Sequence, residues 1–237
     1  MPLVRSLALV VLGLALAASL GAAQAGASQT GRKAPIRVTL VGDSVAASIS
    51  YAATAQARLQ RGLSVRLDAR VCRRLVHPSC SYQGSAPPTA LEAVQRLGRS
   101  LGQVLVVKVG YNESAQGYRA GIDRVMRAAL GQGATGVVWV TLRETSDTYR
   151  WTNVAIKAAA KRWPQLVVAD WNAYSAGKPW FGSDGLHMSA TGATALATFL
   201  RPYVYRAAAV HPERAIGLPA GSPRSGRAGE PAGSTRL

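Results

Sequence analysis

Between residues 36 and 170 short apolar runs alternate with longer amphipathic stretches, and that alternation restricts the chain to one class of fold. The apolar runs are 36–41, 63–71, 103–109, 135–142 and 166–170, each predicted as a strand. In the second, Leu63, Val65, Leu67, Ala69 and Val71 alternate with Arg66, Asp68 and Arg70, the period of a strand with one solvated face. The third is nearly all apolar, as a central parallel strand covered on both faces must be. Helices are predicted over 45–61, 90–101 behind a Thr89 cap, 115–130, from the end of a polar loop at 143–150 to Trp163, and from Ser189 to Tyr203. Strands and helices in this order give a parallel sheet with right-handed crossovers and helices on both faces. Ligands bind such sheets beyond the carboxyl ends of the strands. Gly42, Gly110 and the loops after Leu142 and Asp170 lie on that edge.

The 237 residues, 48% hydrophobic and 16% charged, suffice for one sizeable core and exclude a disordered chain. Residues 1–25 read as a secretory signal: Arg5 is the charged start, 7–20 the apolar stretch, and Ala23-Gln24-Ala25 the small-residue cleavage site. An uncleaved anchor is the competing reading, but the apolar stretch is short for a bilayer span. Residues 26–34 are a polar linker, 35–205 the single domain, and 206–237, rich in Ala, Gly, Pro, Ser and Arg, a disordered basic tail. Export to an oxidising space predicts a bond between Cys72 and Cys80, the only two cysteines. A loop so small contributes on the order of 2 to 3 kcal/mol in the chain-entropy model, enough to steady it locally. Only His77 lies near these cysteines, short of a zinc pattern, so no metal or other cofactor is expected. The formal charge of +17, from 28 basic and 11 acidic residues, points to anionic cell-wall polymers as partners or to nothing beyond solvated faces. Nucleic acid is not expected, because no basic run exceeds two residues or interleaves with aromatics. A monomer is expected.

The run 36–41 stops at Gly42-Asp43-Ser44 and a helical stretch follows, so Ser44 lies at the carboxyl edge of a strand and the first turn of a helix. A nucleophile whose product is an oxyanion suits that place, where backbone N–H groups lack intrahelical acceptors. Serine chemistry further needs a base and a carboxylate that orients it. Asp184 and His187 supply them, since a turn through Gly185 brings both side chains to one side with the imidazole toward Ser44. Asn112, on the loop after the third strand, can direct its amide into the same space. Each has an ordinary alternative: Asp43 or Ser44 as a helix cap, Asp184 as a turn cap, His187 as a surface histidine, Asn112 as a turn residue. Their joint occurrence on one sheet edge favours the chemical reading.

On these residues the chain is similar to the SGNH, or GDSL-type, hydrolases. Gly42-Asp43-Ser44 matches the family's first block, Gly110-Tyr111-Asn112 resembles its third, Asp184-x-x-His187 matches its fifth, and the similarity runs from Ile36 to about Val204. The resemblance implies a flavodoxin-like three-layer αβα sandwich with five parallel strands. It implies Ser44 as nucleophile, His187 as base, Asp184 as its orienting carboxylate, and Asn112 with the Ser44 backbone as oxyanion donors. Two positions depart from the pattern. The family's second-block glycine is missing, the strand running instead into Cys72-Arg73-Arg74, so a backbone N–H near Cys72 or Arg73 takes its place or the oxyanion hole is built differently. Glu113 follows Asn112 where many members have aspartate.

The resemblance implies an exported esterase acting on short acyl esters, acetyl foremost, of a carbohydrate or small alcohol. An O-acyltransferase acting on a cell-wall polysaccharide and an inactive basic wall-binding module are the alternatives. Gly42-Asp43-Ser44-Val45 is similar to the first block of peptidoglycan O-acetyltransferases, but those carry a multi-span membrane domain that this sequence lacks, so hydrolysis is expected first. Tyr111 and Trp180 are expected to bind substrate. Tyr149, Trp151, Trp171, Tyr174, Trp180 and Phe181 form either an aromatic wall for sugar faces or ordinary packing.

Overall fold

A computed structural model describes residues 34–210; the expected signal, nearly all of the linker and the tail beyond 210 lie outside the described residues. Five parallel strands, β1 (Ile36–Gly42), β2 (Leu63–Ala69), β3 (Val104–Lys108), β4 (Gly136–Val140) and β5 (Leu166–Ala169), form one sheet in the order β2-β1-β3-β4-β5. Among the described residues seven α-helices flank it, α1 (Ser44–Ala47), α2 (Ala53–Gln60), α3 (Ala90–Leu97), α4 (Tyr118–Gly131), α5 (Asp147–Ala159), α6 (Trp171–Tyr174) and α7 (Ala190–Ala209), with a 3-10 turn at Gly98–Leu101 after α3. This is the expected flavodoxin-like sandwich.

The pleat divides the apolar strand residues between two cores. Val38, Leu40, Val104, Val106, Val138 and Val140 meet α1, α2 and α7 on one face. Val41, Leu105, Val107, Val137 and Trp139 meet α3, α4 and α5 on the other. The inner strands β3 and β4 are therefore buried along their whole length, while β2, at the edge, keeps one partly exposed face. Thr89 caps α3 as expected, in a reciprocal capping box with Glu92. Cys72 and Cys80 are bonded, closing the loop that leads from β2 to α3. Among the described residues no helix is long and apolar enough to cross a membrane.

Four elements differ from the sequence reading. The helix expected over 45–61 is two helices, interrupted at 48–52, where the Ser50 hydroxyl donates to the Ala47 carbonyl and turns the chain away from helical pairing. α5 starts inside the expected polar loop because Ser146 caps it, accepting from the Tyr149 N–H. Asp170 likewise caps α6 within the expected loop that follows β5. α7 runs to Ala209, past both the expected end of the helix and the domain limit at 205, because Val204 and Ala207 are fully buried against the sheet.

Candidate active site

β1 and β3 lie side by side, but the helices after them leave to opposite faces, so a crevice opens at their carboxyl ends. Gly42 closes β1 there, and a Cβ at this position would come within 2.3 Å of the Ala46 Cβ, so the tight turn into α1 needs glycine. Asp43 is fully buried and accepts from the N–H groups of Val45 (3.1 Å), Gly110 (3.0 Å) and Tyr111 (3.2 Å). It caps α1 and fastens the β1 turn to the β3 loop. The cap is thus Asp43, which leaves the Ser44 hydroxyl available to the crevice.

Beneath this turn Lys108 is fully buried, its ammonium 5.1 Å from the Tyr111 ring centroid and, among the described residues, without a hydrogen-bond partner. Burial lowers its pKa to about 8, against the opposing pull of the Asp43 charge. Burial likewise raises the Asp43 carboxyl, opposed first by Lys108. The unfolded chain holds the lysine proton up to the ordinary value of 10.5, so between these values the unfolded state binds more protons and stability rises with pH. The expected rise is about 1 kcal/mol per pH unit. Urea unfolding from about pH 8 to about pH 10 is expected to show it in the natural protein and not in Lys108→Met. Equal slopes in the two would contradict the burial of a titrating lysine here.

Asp184 and His187 lie on the loop before α7. The Asp184 Oδ1 accepts from the N–H groups of Leu186 (2.9 Å) and His187 (3.0 Å), while Oδ2 meets the His187 Nδ1 at 2.5 Å. Those bonds, the imidazole first, lower the Asp184 carboxyl to about 2, keeping it ionised near neutrality. The His187 Nε2 stands 3.0 Å from the Ser44 Oγ. Gly185, at φ +69°, makes the turn. Arg143, a residue the sequence reading passed over, fixes the loop by donating from Nη1 to the Gly185 carbonyl at 2.9 Å and by lying over the Phe181 ring at 4.0 Å.

The Asn112 side-chain amide donates one hydrogen bond to the Arg73 carbonyl at 3.2 Å and retains its second N–H. Glu113 joins the same two loops: it accepts from the Leu75 N–H and pairs with Arg74 at 3.5 Å. The Arg73 N–H, expected as an oxyanion donor, instead closes a turn on the Arg70 carbonyl at 3.3 Å, and its buried guanidinium binds Asp68 and the Pro88 carbonyl. Cys72, at φ +66°, holds the left-handed conformation that a glycine would take with least strain. Among the described residues its N–H, like that of Ser44, has no acceptor.

A pocket of about 220 Å³ beside Ser44 is lined by Ser48, Tyr51, Ala52, His187, Met188 and Ala190. Neither expected substrate-binding residue lines it. Tyr111 is held back in a packed position, its hydroxyl accepting from the Arg143 N–H at 2.7 Å and its ring edge-on to Tyr149. Trp180 stacks on the buried Trp171 in a cluster with Tyr174 and Phe181, which is packing for these rings, although Tyr174 keeps an exposed edge and Trp151 stands exposed on α5. Tyr51 reaches the pocket through the break between α1 and α2, which the expectation of one continuous helix concealed.

Comparison with protein-family models and with curated protein sequences gives no match. Among solved structures, the C-terminal catalytic domain of peptidoglycan O-acetyltransferase A from Streptococcus pneumoniae matches with TM-score 0.57 and 21% identity, over 73% of this chain and 94% of that one. A carbohydrate acetylesterase family member from Sinorhizobium meliloti matches with TM-score 0.56 and 14% identity, over 73% and 99%. A family 3 carbohydrate esterase from Clostridium thermocellum matches with TM-score 0.52 and 13% identity, over 73% and 97%. With the parallel strand order β2-β1-β3-β4-β5 and helices on both faces, the chain has the fold of the SGNH/GDSL-type hydrolases.

Proposed function

We propose that the protein is an exported SGNH-type serine esterase that cleaves short acyl esters, acetyl foremost, on a carbohydrate. The observation that carries this reading is the continuous chain from Asp184 Oδ2 through the His187 ring to the Ser44 Oγ, with separations of 2.5 and 3.0 Å. Ser44 attacks the ester carbonyl while the His187 Nε2 takes its proton, and Asp184 holds the imidazole in the required tautomer and stabilises its charged form. Negative charge gathers on the carbonyl oxygen. The Ser44 N–H, the free amide N–H of Asn112 and, in place of Arg73, the Cys72 N–H are the donors proposed to receive it. The tetrahedral intermediate expels the alcohol, which takes the proton from His187, and an acyl-Ser44 ester remains. Water then attacks that ester with His187 again as base, releasing the acid and restoring Ser44.

The 220 Å³ pocket supports a short acyl group. The Cys72–Cys80 bond and the Ala23-Gln24-Ala25 site support export. The fold shared with an O-acetyltransferase catalytic domain favours one second reading, in which a sugar hydroxyl replaces water in the last step.

The test is a panel of p-nitrophenyl acetate, butyrate and octanoate with acetylated xylan and O-acetylated peptidoglycan. The acetyl ester is expected to exceed the octanoyl ester in kcat/KM by about tenfold or more, since each extra methylene that a pocket rejects has an effect of that order. Failure to cleave any ester, or a preference for octanoate, would overturn the proposal.

A further inference from the structure

A second, larger cleft, of about 750 Å³, runs along the free edge of the sheet beside β2. Arg66, Arg70 and Arg96 line it together with Tyr51 and Tyr82, and its one acidic residue, Asp68, is already engaged by Arg70 at 3.3 Å and by the buried Arg73 at 3.0 Å. Among the described residues neither Arg66 nor Arg96 is held in an ion pair. Glu92, one helical turn before Arg96, is bonded to Thr89 and feels the Arg96 charge only weakly, so Arg66, Arg70, Arg73 and Arg96 outnumber Asp68 and leave the cleft an excess of guanidinium charge. Tyr51 and Tyr82 are 79% and 49% exposed, so the cleft also carries open aromatic surface. The Tyr82 wall is fixed in place: Tyr82 and Ser85 exchange backbone bonds of 2.9 and 3.2 Å, and the Cys72–Cys80 bond closes the chain just ahead of it. Tyr51 also lines the pocket at Ser44, so cleft and pocket share a wall.

We propose that this cleft binds a carboxylated polysaccharide, its acidic residues against Arg66, Arg70 and Arg96 and its sugar faces on Tyr51 and Tyr82. Guanidinium groups pair with carboxylates through two parallel hydrogen bonds. Tyrosine offers a flat apolar ring with a polar tip, a surface suited to the mixed faces of a sugar. The shared wall at Tyr51 aligns a chain held in the cleft with the pocket, so an esterified unit reaches Ser44 while its acidic neighbours stay bound. That last step rests on the esterase reading; binding in the cleft does not.

Calorimetric titration of the full chain carrying Ser44→Ala with polygalacturonate oligosaccharides tests the site without turnover. Arg66→Gln with Arg96→Gln is expected to weaken binding about tenfold at low salt, the order of two solvent-exposed charge contacts. Arg119→Gln with Arg124→Gln, an equal loss of charge on exposed residues of α4 outside the cleft, is expected to leave it unchanged. Neutral xylo-oligosaccharides are expected not to bind. Equal weakening by the two pairs, no effect of the cleft pair, or equal affinity for the neutral chains would overturn the proposal. In turnover, the cleft pair is expected to raise KM for acetylated polygalacturonate about tenfold and leave p-nitrophenyl acetate unchanged. Should no ester be cleaved by the unmodified protein, the reading of Ser44 fails while the titration still decides the cleft.

Discussion

His187→Ala is expected to lower kcat for acetyl esters by about a millionfold, and Asp184→Asn by about ten-thousandfold. The order follows from what each group does. Without the imidazole the Ser44 hydroxyl, 3.0 Å from Nε2, has no acceptor for its proton, so attack begins from a neutral alcohol. With asparagine at 184 the imidazole remains, but an amide can present its NH₂ to Nδ1 and stabilise the tautomer whose proton sits on Nε2, which is the wrong one for a base. The loop itself should survive either change. Both side chains are about half exposed, the Gly185 N–H donates to the Gly182 carbonyl and the Gly182 N–H to the His187 carbonyl, and Arg143 holds the loop from outside. Kinetics with p-nitrophenyl acetate beside thermal unfolding checks this, the expected result being lost turnover at an unchanged Tm. Near-native turnover in His187→Ala, or a loss below about tenfold in Asp184→Asn, would contradict the assigned roles.

The sheet was legible because it is written in strand chemistry alone. Val104 to Lys108 is buried at every position and reads as a continuous apolar run up to its final lysine, while β2 reads as an alternation because it is an edge. The helix caps were legible only where the capping residue stood alone. Thr89 with Glu92 announces α3, but Ser146 lies in a run of polar residues that resembles a loop. The break between α1 and α2 was hidden, since alanine and serine at 46–54 are compatible with helix and only the Ser50 hydroxyl bonding back to Ala47 shows the interruption. That single miss concealed Tyr51, and with it the wall shared by the pocket and the cleft.

Within the site the residue types were legible and their partners were not. Ser44, Asp184 and His187 could be paired from motif order, whereas the burial of Asp43 and Lys108 beneath them is a property of the assembled sheet. Sequence left the choice between the Cys72 and Arg73 N–H groups open, because a backbone donor points where its turn directs it, and the left-handed Cys72 sends the Arg73 N–H back to the Arg70 carbonyl. Trp180 and Tyr111 were chosen for their chemistry, and packing decided otherwise: aromatic rings close to a large core satisfy one another first.

Ser44→Ala is expected to lower ester turnover by about a millionfold, because the acyl-enzyme cannot form without the hydroxyl and the remaining groups act only through oxyanion stabilisation and binding. The fold is expected to persist, since the substitution removes one oxygen whose hydrogen bond is to the exposed His187 ring and leaves the Asp43 cap on α1 intact. The direct measurement is mass spectrometry of the protein after reaction with a fluorophosphonate, which labels a serine activated by a neighbouring base. One adduct per chain, mapped to the peptide containing Ser44 and absent from Ser44→Ala, is the predicted result. An adduct on another residue, or none on an enzyme that cleaves acetyl esters at the same rate with and without the Ser44 hydroxyl, would contradict the account.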